Sequence, residues 1–254
     1  MPTTYLHLVR HAQGYHNLRP ENHILPDPDL TPLGKIQCES LCSRFRSHDK
    51  ITHLVASPMR RTIYTCLLSF VPAVEAGKRV IALPEVQEVS NLPCDTGSAP
   101  EKLHEEFDGA GKVDLSRVEE GWNDKSVGSP WAPEMRRLEA RARTARAWLR
   151  ELGRDVTKNE GRDAHVVVVT HGGFLHVLTG DFDGLNYAKG TGWENTECRT
   201  YEFVSEYDDE ARLKETKASW RERRGSAIGL TETEQMELRS AMGDRIKEEF
   251  GIEE

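Results

Sequence analysis

No apolar run in this sequence approaches the ~20 residues needed to span a bilayer. Its opening residues, Met1-Pro2-Thr3-Thr4, have neither the charged nor the apolar stretch of a signal peptide. The chain is therefore expected to be soluble and cytoplasmic, with no membrane partner. A basic excess is also missing: 34 Lys and Arg stand against 42 Asp and Glu, giving a formal net charge of -8 and a pI near 5.7. Nucleic-acid binding needs a basic face, so nucleic acid is not expected as a partner, and an anionic ligand must be held by a local cluster of cations. The five cysteines, Cys38, Cys42, Cys66, Cys94 and Cys198, include no Cys-x-x-Cys pair. Cys38 and Cys42 lie one helical turn apart, in line with Leu41 and Phe45, and read as core-facing thiols. Neither disulfides, nor zinc or another metal, nor a cofactor is predicted.

What the chain does contain is strands that end in catalytic residue types. Its 254 residues, 37% hydrophobic and 30% charged, suffice for one sizeable core with appendages. Tyr5, Leu6, Leu8 and Val9 form a short apolar strand that delivers Arg10 and His11 just before a turn at Gly14. Val166, Val167, Val168 and Val169 read as a strand buried on both faces, ending in His171, Gly172 and Gly173. A third strand, residues 51–56, runs through Ser57-Pro58 into a helix carrying Arg60 and Arg61. In open α/β sheets ligands bind at the carboxyl ends of the strands. Arginine supplies a rigid fork of donors for phosphate or carboxylate, and histidine a ring nitrogen able to act as base or nucleophile.

Three motifs, in order, carry a family resemblance: Arg-His-x-Gln-x-x-x-Asn at residues 10–17, Ser-Pro-x-x-Arg-Thr-x-x-Thr at residues 57–65, and Val-x-Val-Thr-His-Gly-Gly at residues 167–173. Together they resemble the histidine phosphatase superfamily, in its phosphoglycerate mutase-like branch, over roughly residues 4–205. The pattern departs at Ala12, where most relatives have glycine, and at Gly14, where many have serine or threonine. The resemblance implies a three-layer α/β/α sandwich around a mostly parallel sheet, in a domain of residues 1–205, followed by a C-terminal helical extension, residues 206–254. It also implies His11 as nucleophile, Arg10, Arg61 and His171 around the phosphoryl group, and Asn17 and Gln13 as substrate contacts. Counting from Ser57 selects Arg61 over Arg60, which is read as a solvated neighbour. Relatives place an acid in a Leu-x-Glu element after the strand at residues 80–83; Glu88 is the best local match, with Glu85 and Asp95 open alternatives.

Between these motifs, Thr31 and Pro32 open a helix with Ile36, Leu41 and Phe45 on its core face. Residues 98–130 are expected to roof the site. A long charged helix, residues 134–152, buries Leu138, Ala142, Ala145, Trp148, Leu149 and Leu152, with its arginines read as a solvated face. The first turn of the helix opened by Gly172 and Gly173 is expected to aim free N–H groups at a phosphate oxygen. Residues 195–203 alternate like a final strand. A tail helix from Thr231 carries a capping box with Glu234 and sets Met242, Ile246 and Phe250 on one side.

The function implied is phosphomonoester hydrolysis of a phosphorylated small molecule through a phosphohistidine, without metal. A mutase is the main alternative, but residues 89–97 hold no Arg or Lys to grip a second anionic group. A domain that binds a phosphorylated ligand without turnover is the third reading. Composition leaves the oligomeric state open.

Overall fold

The computed structural model describes residues 2–186 and 191–250, except the side chain of residue 250. Among the described residues, seven strands form one sheet in the order β4-β3-β2-β5-β1-β6-β7. They are β1 (Thr4–Arg10), β2 (His53–Ala56), β3 (Val80–Ala82), β4 (Val113–Asp114), β5 (Ala164–Thr170), β6 (Cys198–Phe203) and β7 (Leu213–Glu215). β4, β3, β2, β5 and β1 run parallel, and β6 and β7 continue antiparallel. Eight helices accompany them among the described residues: α1 (Pro32–Arg44), α2 (Arg60–Ser69), α3 (Val71–Glu75), α4 (Pro100–Phe107), α5 (Met135–Asn159), α6 (Gly172–Thr179), α7 (Lys217–Arg224) and α8 (Glu232–Phe250).

The valine run of β5 shows why helices must cover both faces. Successive strand residues point to opposite sides. Val166 and Val168 join Leu138, Ala142, Leu149, Phe174 and Leu175 of α5 and α6 in one core. Val167 and Val169 join Ile63 and Cys66 of α2 and Leu41 of α1 in the other. All four valines are fully buried. The sheet is thus the middle layer of an α/β/α arrangement.

Several elements differ from the sequence expectation, each for a local reason. Thr31 does cap α1, accepting the Gly34 N–H at 3.0 Å, but Ile36 is 59% exposed. The buried face is Gly34, Cys38 and Leu41, where a Cβ on Gly34 would stand 2.2 Å from the Gln13 carbonyl oxygen. Ile36, two residues on, is turned about 200° from Gly34 at 100° per residue. Residues 195–197 form a turn rather than strand: Thr196 adopts φ 57° and donates its N–H to the Arg10 carbonyl at 3.0 Å. The sheet runs past residue 205 through β7. Thr231 and Glu234 exchange the reciprocal bonds of a capping box, and α8 sets Met242 and Ile246 into the same core as α5 and α6. The side chain of Phe250 lies outside the described residues. No helix among the described residues is long and apolar enough to cross a membrane.

Candidate active site

Register brings the two motif histidines together. β1 and β5 are parallel partners with Arg10 opposite Thr170, so His11 and His171 leave the sheet side by side, their ring centroids 5.2 Å apart. β2 lies on the other side of β5 with Ala56 opposite Val169, which sets Ser57 next to His171. Above these strand ends opens a cavity of about 550 Å³, lined by Arg10, His11, His16, Asn17, Glu88 and Gly172 among others.

The tautomer of His11 follows from its partner. Nδ1 lies 2.8 Å from the Ala12 carbonyl oxygen, which can only accept, so Nδ1 carries the proton and neutral His11 has its lone pair on Nε2. Burial, then Arg61, His16 and Arg10, hold its pKa well below the usual histidine value. The ring is therefore neutral and oriented at ordinary pH, with the Nε2 lone pair free. The Asn195 side-chain amide steadies the same residue by donating to the His11 carbonyl at 2.9 Å.

His171 has the opposite tautomer. Arg61 Nη2 donates to its Nδ1 at 3.1 Å, so Nε2 bears the hydrogen and donates to Ser57 Oγ at 2.9 Å. Burial and Arg61 keep this ring neutral as well. The resemblance places His171 around the phosphoryl group; the ring is uncharged and its Nε2–H is given to Ser57.

Arg61 is fully buried, with Nη1 donating to the Cys94 carbonyl at 2.6 Å and Nη2 to Asp95 Oδ1 at 2.9 Å. Arg60 points away, pairing with Glu106 at 2.7 Å and Asp29 at 2.8 Å. It is an anchor of α2 rather than the solvated neighbour the sequence suggests. Arg61 and His171 form a covered layer directly behind His11, whereas Arg10 reaches the cavity itself and donates Nη1 to the Trp193 carbonyl at 2.5 Å.

Across the cavity stands Glu88. Its carboxylate accepts N–H bonds from Gly173 at 3.1 Å, Phe174 at 2.8 Å and Val89 at 2.9 Å. Two N–H groups of the α6 first turn, expected from sequence to await a phosphate, are thus occupied by a side chain. A Cβ at residue 173 would lie 2.8 Å from Glu88 Oε1, so a larger residue there would push the carboxylate off its present seat. Burial and then the repulsion of Asp95 raise the Glu88 pKa. Of the alternatives, Glu85 faces Arg117 at 3.6 Å and does not line the cavity, while Asp95 lines it but is tied to Arg61 and to the Ser90 hydroxyl at 2.5 Å.

Two substrate contacts expected from the motif take other partners. Gln13 does not line the cavity; its Oε1 accepts from the Thr31 hydroxyl at 2.8 Å and helps seat α1. Asn17 lines the cavity, yet its Oδ1 closes a turn by accepting the Gly14 N–H at 3.0 Å. The expected roof is also elsewhere. No residue of 98–130 lines the cavity; its mouth is built by Leu18, Arg19, Pro20 and His23 and by Met242, Arg245, Ile246 and Glu249 of α8. His16 and Asn195 were not singled out from sequence. His16 sits within the first motif, 5.3 Å from the His11 ring, with its pKa lowered to about 2 by burial and Arg61.

The sequence profile of the histidine phosphatase superfamily (branch 1) matches residues 6–219. This chain belongs to that superfamily. Among curated proteins it is 39% identical over 75 residues to a phosphoglycerate mutase-like protein of Arabidopsis thaliana, a match covering 26% of this chain and 28% of the relative. Phosphoglycerate mutase-like protein 2 of the same plant is 40% identical over 75 residues, 26% of this chain and 22% of that protein. These matches span under a third of either curated relative. Among solved structures, a mycobacterial glucosyl-3-phosphoglycerate phosphatase superposes with a TM-score of 0.53 at 20% identity, covering 84% of this chain and 96% of that one. Phosphoglycerate mutase from Bacillus anthracis gives 0.52 at 17% identity, covering 85% and 92%. At such identities the likeness is one of fold. That fold is the phosphoglycerate mutase-like α/β architecture expected from the three motifs.

Proposed function

We propose that this protein is a phosphomonoester hydrolase working through a phosphohistidine on His11, with Glu88 as general acid. The observation that carries the reading is the Nδ1–H bond from His11 to the Ala12 carbonyl, which leaves Nε2 unprotonated on a buried, neutral ring that lines the cavity. Nε2 attacks phosphorus, the phosphorus–oxygen ester bond breaks, and the proton of Glu88 goes to the departing alkoxide. The Glu88 carboxylate then takes a proton from water, the water oxygen displaces the Nε2–phosphorus bond, and inorganic phosphate leaves with both residues reset. Arg10 offsets charge on the phosphoryl oxygens directly; Arg61 does so on turning one donor away from Cys94 or Asp95.

The raised pKa of Glu88 supports its acid role, since it extends the protonated form toward neutral pH. Hydrolysis is preferred to a mutase because residues 89–97 supply no cation for a second anionic group. A binding domain without turnover would have no use for an oriented nucleophile facing a proton donor. The substrate is a phosphorylated small molecule whose organic part meets Leu18, Val89, Leu92, Leu185, Met242 and Ile246. Side-chain cations stand where other phosphatases use metals, so turnover should persist in EDTA. Release of phosphate from a panel of phosphomonoesters in EDTA tests the proposal; activity that vanishes with chelation and returns with one divalent ion would contradict its metal-free form.

A further inference from the structure

Behind Glu88, on the side away from the cavity, lie two buried cations that the mechanism does not use. Lys125 is 6% exposed and its Nζ donates to the Glu88 carbonyl at 2.6 Å. Arg141, 5% exposed in the second turn of α5, donates Nη2 to the carbonyls of Gln87 at 2.9 Å and Glu88 at 3.3 Å. Its guanidinium also stacks 4.4 Å over the ring of Phe174, whose own N–H holds the Glu88 carboxylate. From sequence, Arg141 belongs to a solvated stripe of arginines; it is instead the arginine of that helix turned inward at the level of the acid. Neither Lys125 nor Arg141 has a carboxylate within ion-pair distance among the described residues, and Nε and Nη1 of Arg141 have no hydrogen-bond partner there. Uncompensated buried charge is expensive, so two such groups converging on one carbonyl call for a compensating anion.

We propose that Lys125 and Arg141 are positioning residues for the acid: they clamp the main chain of Glu88 from behind, and their charge sets the pH at which its carboxyl loses the proton. The proposal rests on the reading of Glu88 as general acid. The clamp fixes the carboxyl against the α6 N-terminus, while the two positive charges oppose the burial that would otherwise keep it protonated. A proton donor that must also become a base in the second half-reaction needs both forms within reach. Other charges near Glu88 are Asp95, which favours protonation, and Arg61 and Arg10, which oppose it; Glu85 is a further anion acting on Arg141. Burial and the neighbouring Arg141 lower the Lys125 amine to about 7, so its own charge falls away through neutral pH.

The test is the pH dependence of kcat/KM for an alkyl phosphate in the full chain, with nitrophenyl phosphate as internal control because its leaving group needs no proton. Arg141→Met should move the alkaline limb for the alkyl phosphate upward by about one pH unit, the low end of the shift a nearby charge produces. Lys125→Met should move it in the same direction by less. Arg141→Lys, which keeps a charge and a donor, should leave the limb near its original place. The nitrophenyl profile should lack this limb in every variant. A lower rate with an unmoved limb would reduce the two cations to scaffolding, and Arg141→Lys behaving like Arg141→Met would remove the charge from the account. Should Arg141→Met fail to fold, Lys125→Met and Arg141→Lys alone decide, since an unmoved limb in the first also contradicts the proposal. Glu88→Gln, run in parallel, separates failures: without a selective loss on alkyl phosphate, the acid assignment fails rather than the clamp.

Discussion

The floor and the mouth of the cavity are built on different principles. Floor residues come from the ends of β1, β2 and β5, whose parallel register places His11, Ser57 and His171 next to one another. Each ring or guanidinium there is held by named partners, and His11, His171 and Arg61 are no more than 2% exposed. The mouth is assembled from two short 3-10 turns at Tyr15–Asn17 and Pro20–Ile24 and from α8, more than two hundred residues later in the chain. Leu18 and Arg19 are exposed there, and α8 lies outside the stretch that matches the superfamily profile. On the proposed function, the buried floor would serve phosphoryl chemistry, and the wall from outside the matched stretch would serve the choice of substrate.

Substitutions should separate the two. The largest effect belongs to the floor: His11→Ala should lower kcat/KM on the order of 10⁴-fold or more, as loss of a nucleophile does, for every phosphomonoester tested. Glu88→Gln should cost roughly 10²–10⁴-fold on alkyl phosphates and much less on nitrophenyl phosphate. If Asp95→Asn shows that selectivity instead, the acid lies later in the loop. Arg61→Ala should cost about a hundredfold in kcat/KM, the value of a charge-assisted contact near 3 kcal/mol. Arg60→Ala should be mild on turnover, since its bonds run to Asp29 and Glu106. Equal losses in those two variants would erase the distinction between them. Smallest should be the mouth: Met242→Ala should change kcat/KM by about tenfold, the low end of what one methylene-sized contact in a pocket is worth, and only for esters large enough to reach α8. A uniform loss across large and small esters would mean that α8 supports the floor and does not select.

Acid should distinguish the regions as well. His7, His11, His16, His171 and His176 are all buried with lowered pKa, His7 to about 3 and His16 to about 2, burial being the main cause in each. A folded state that refuses protons the unfolded chain accepts loses stability as pH falls below the unfolded value near 6.5. The raised acids Glu88 and Asp27 act in the opposite sense but are fewer. Urea midpoints should therefore drop from pH 7 to pH 5, and a flat or rising profile would show that these rings titrate normally.

The sequence was legible where spacing and periodicity control the outcome. Four valines in a row required a strand covered on both faces, and the count from Ser57 chose Arg61, which points toward His171 while Arg60 points away. Glu88 was reachable by its place after β3. Contacts between distant segments were not legible. Gln13 matched the motif, yet the Thr31 hydroxyl claims its side chain. Ile36 was misplaced because the α1 core face is set by a glycine fitted against the Gln13 carbonyl, which a hydrophobicity pattern does not register. Arg141 looked like one surface arginine among many, and only the packing of α5 on the Glu88 loop turns it inward. The apolar face of α8 was visible, but nothing in its sequence said that it would wall the cavity.

The central claim is that Nε2 of His11 accepts the phosphoryl group. Rapid acid-free quenching of the full chain with ³²P-labelled phosphomonoester, followed by peptide mapping, addresses it directly. Label should appear on the peptide containing His11, be stable to alkali and lost in acid, and be absent from His11→Ala. A His11→Ala protein that turns over at near-normal rate, or a wild-type enzyme that carries its label on another residue, would contradict the account.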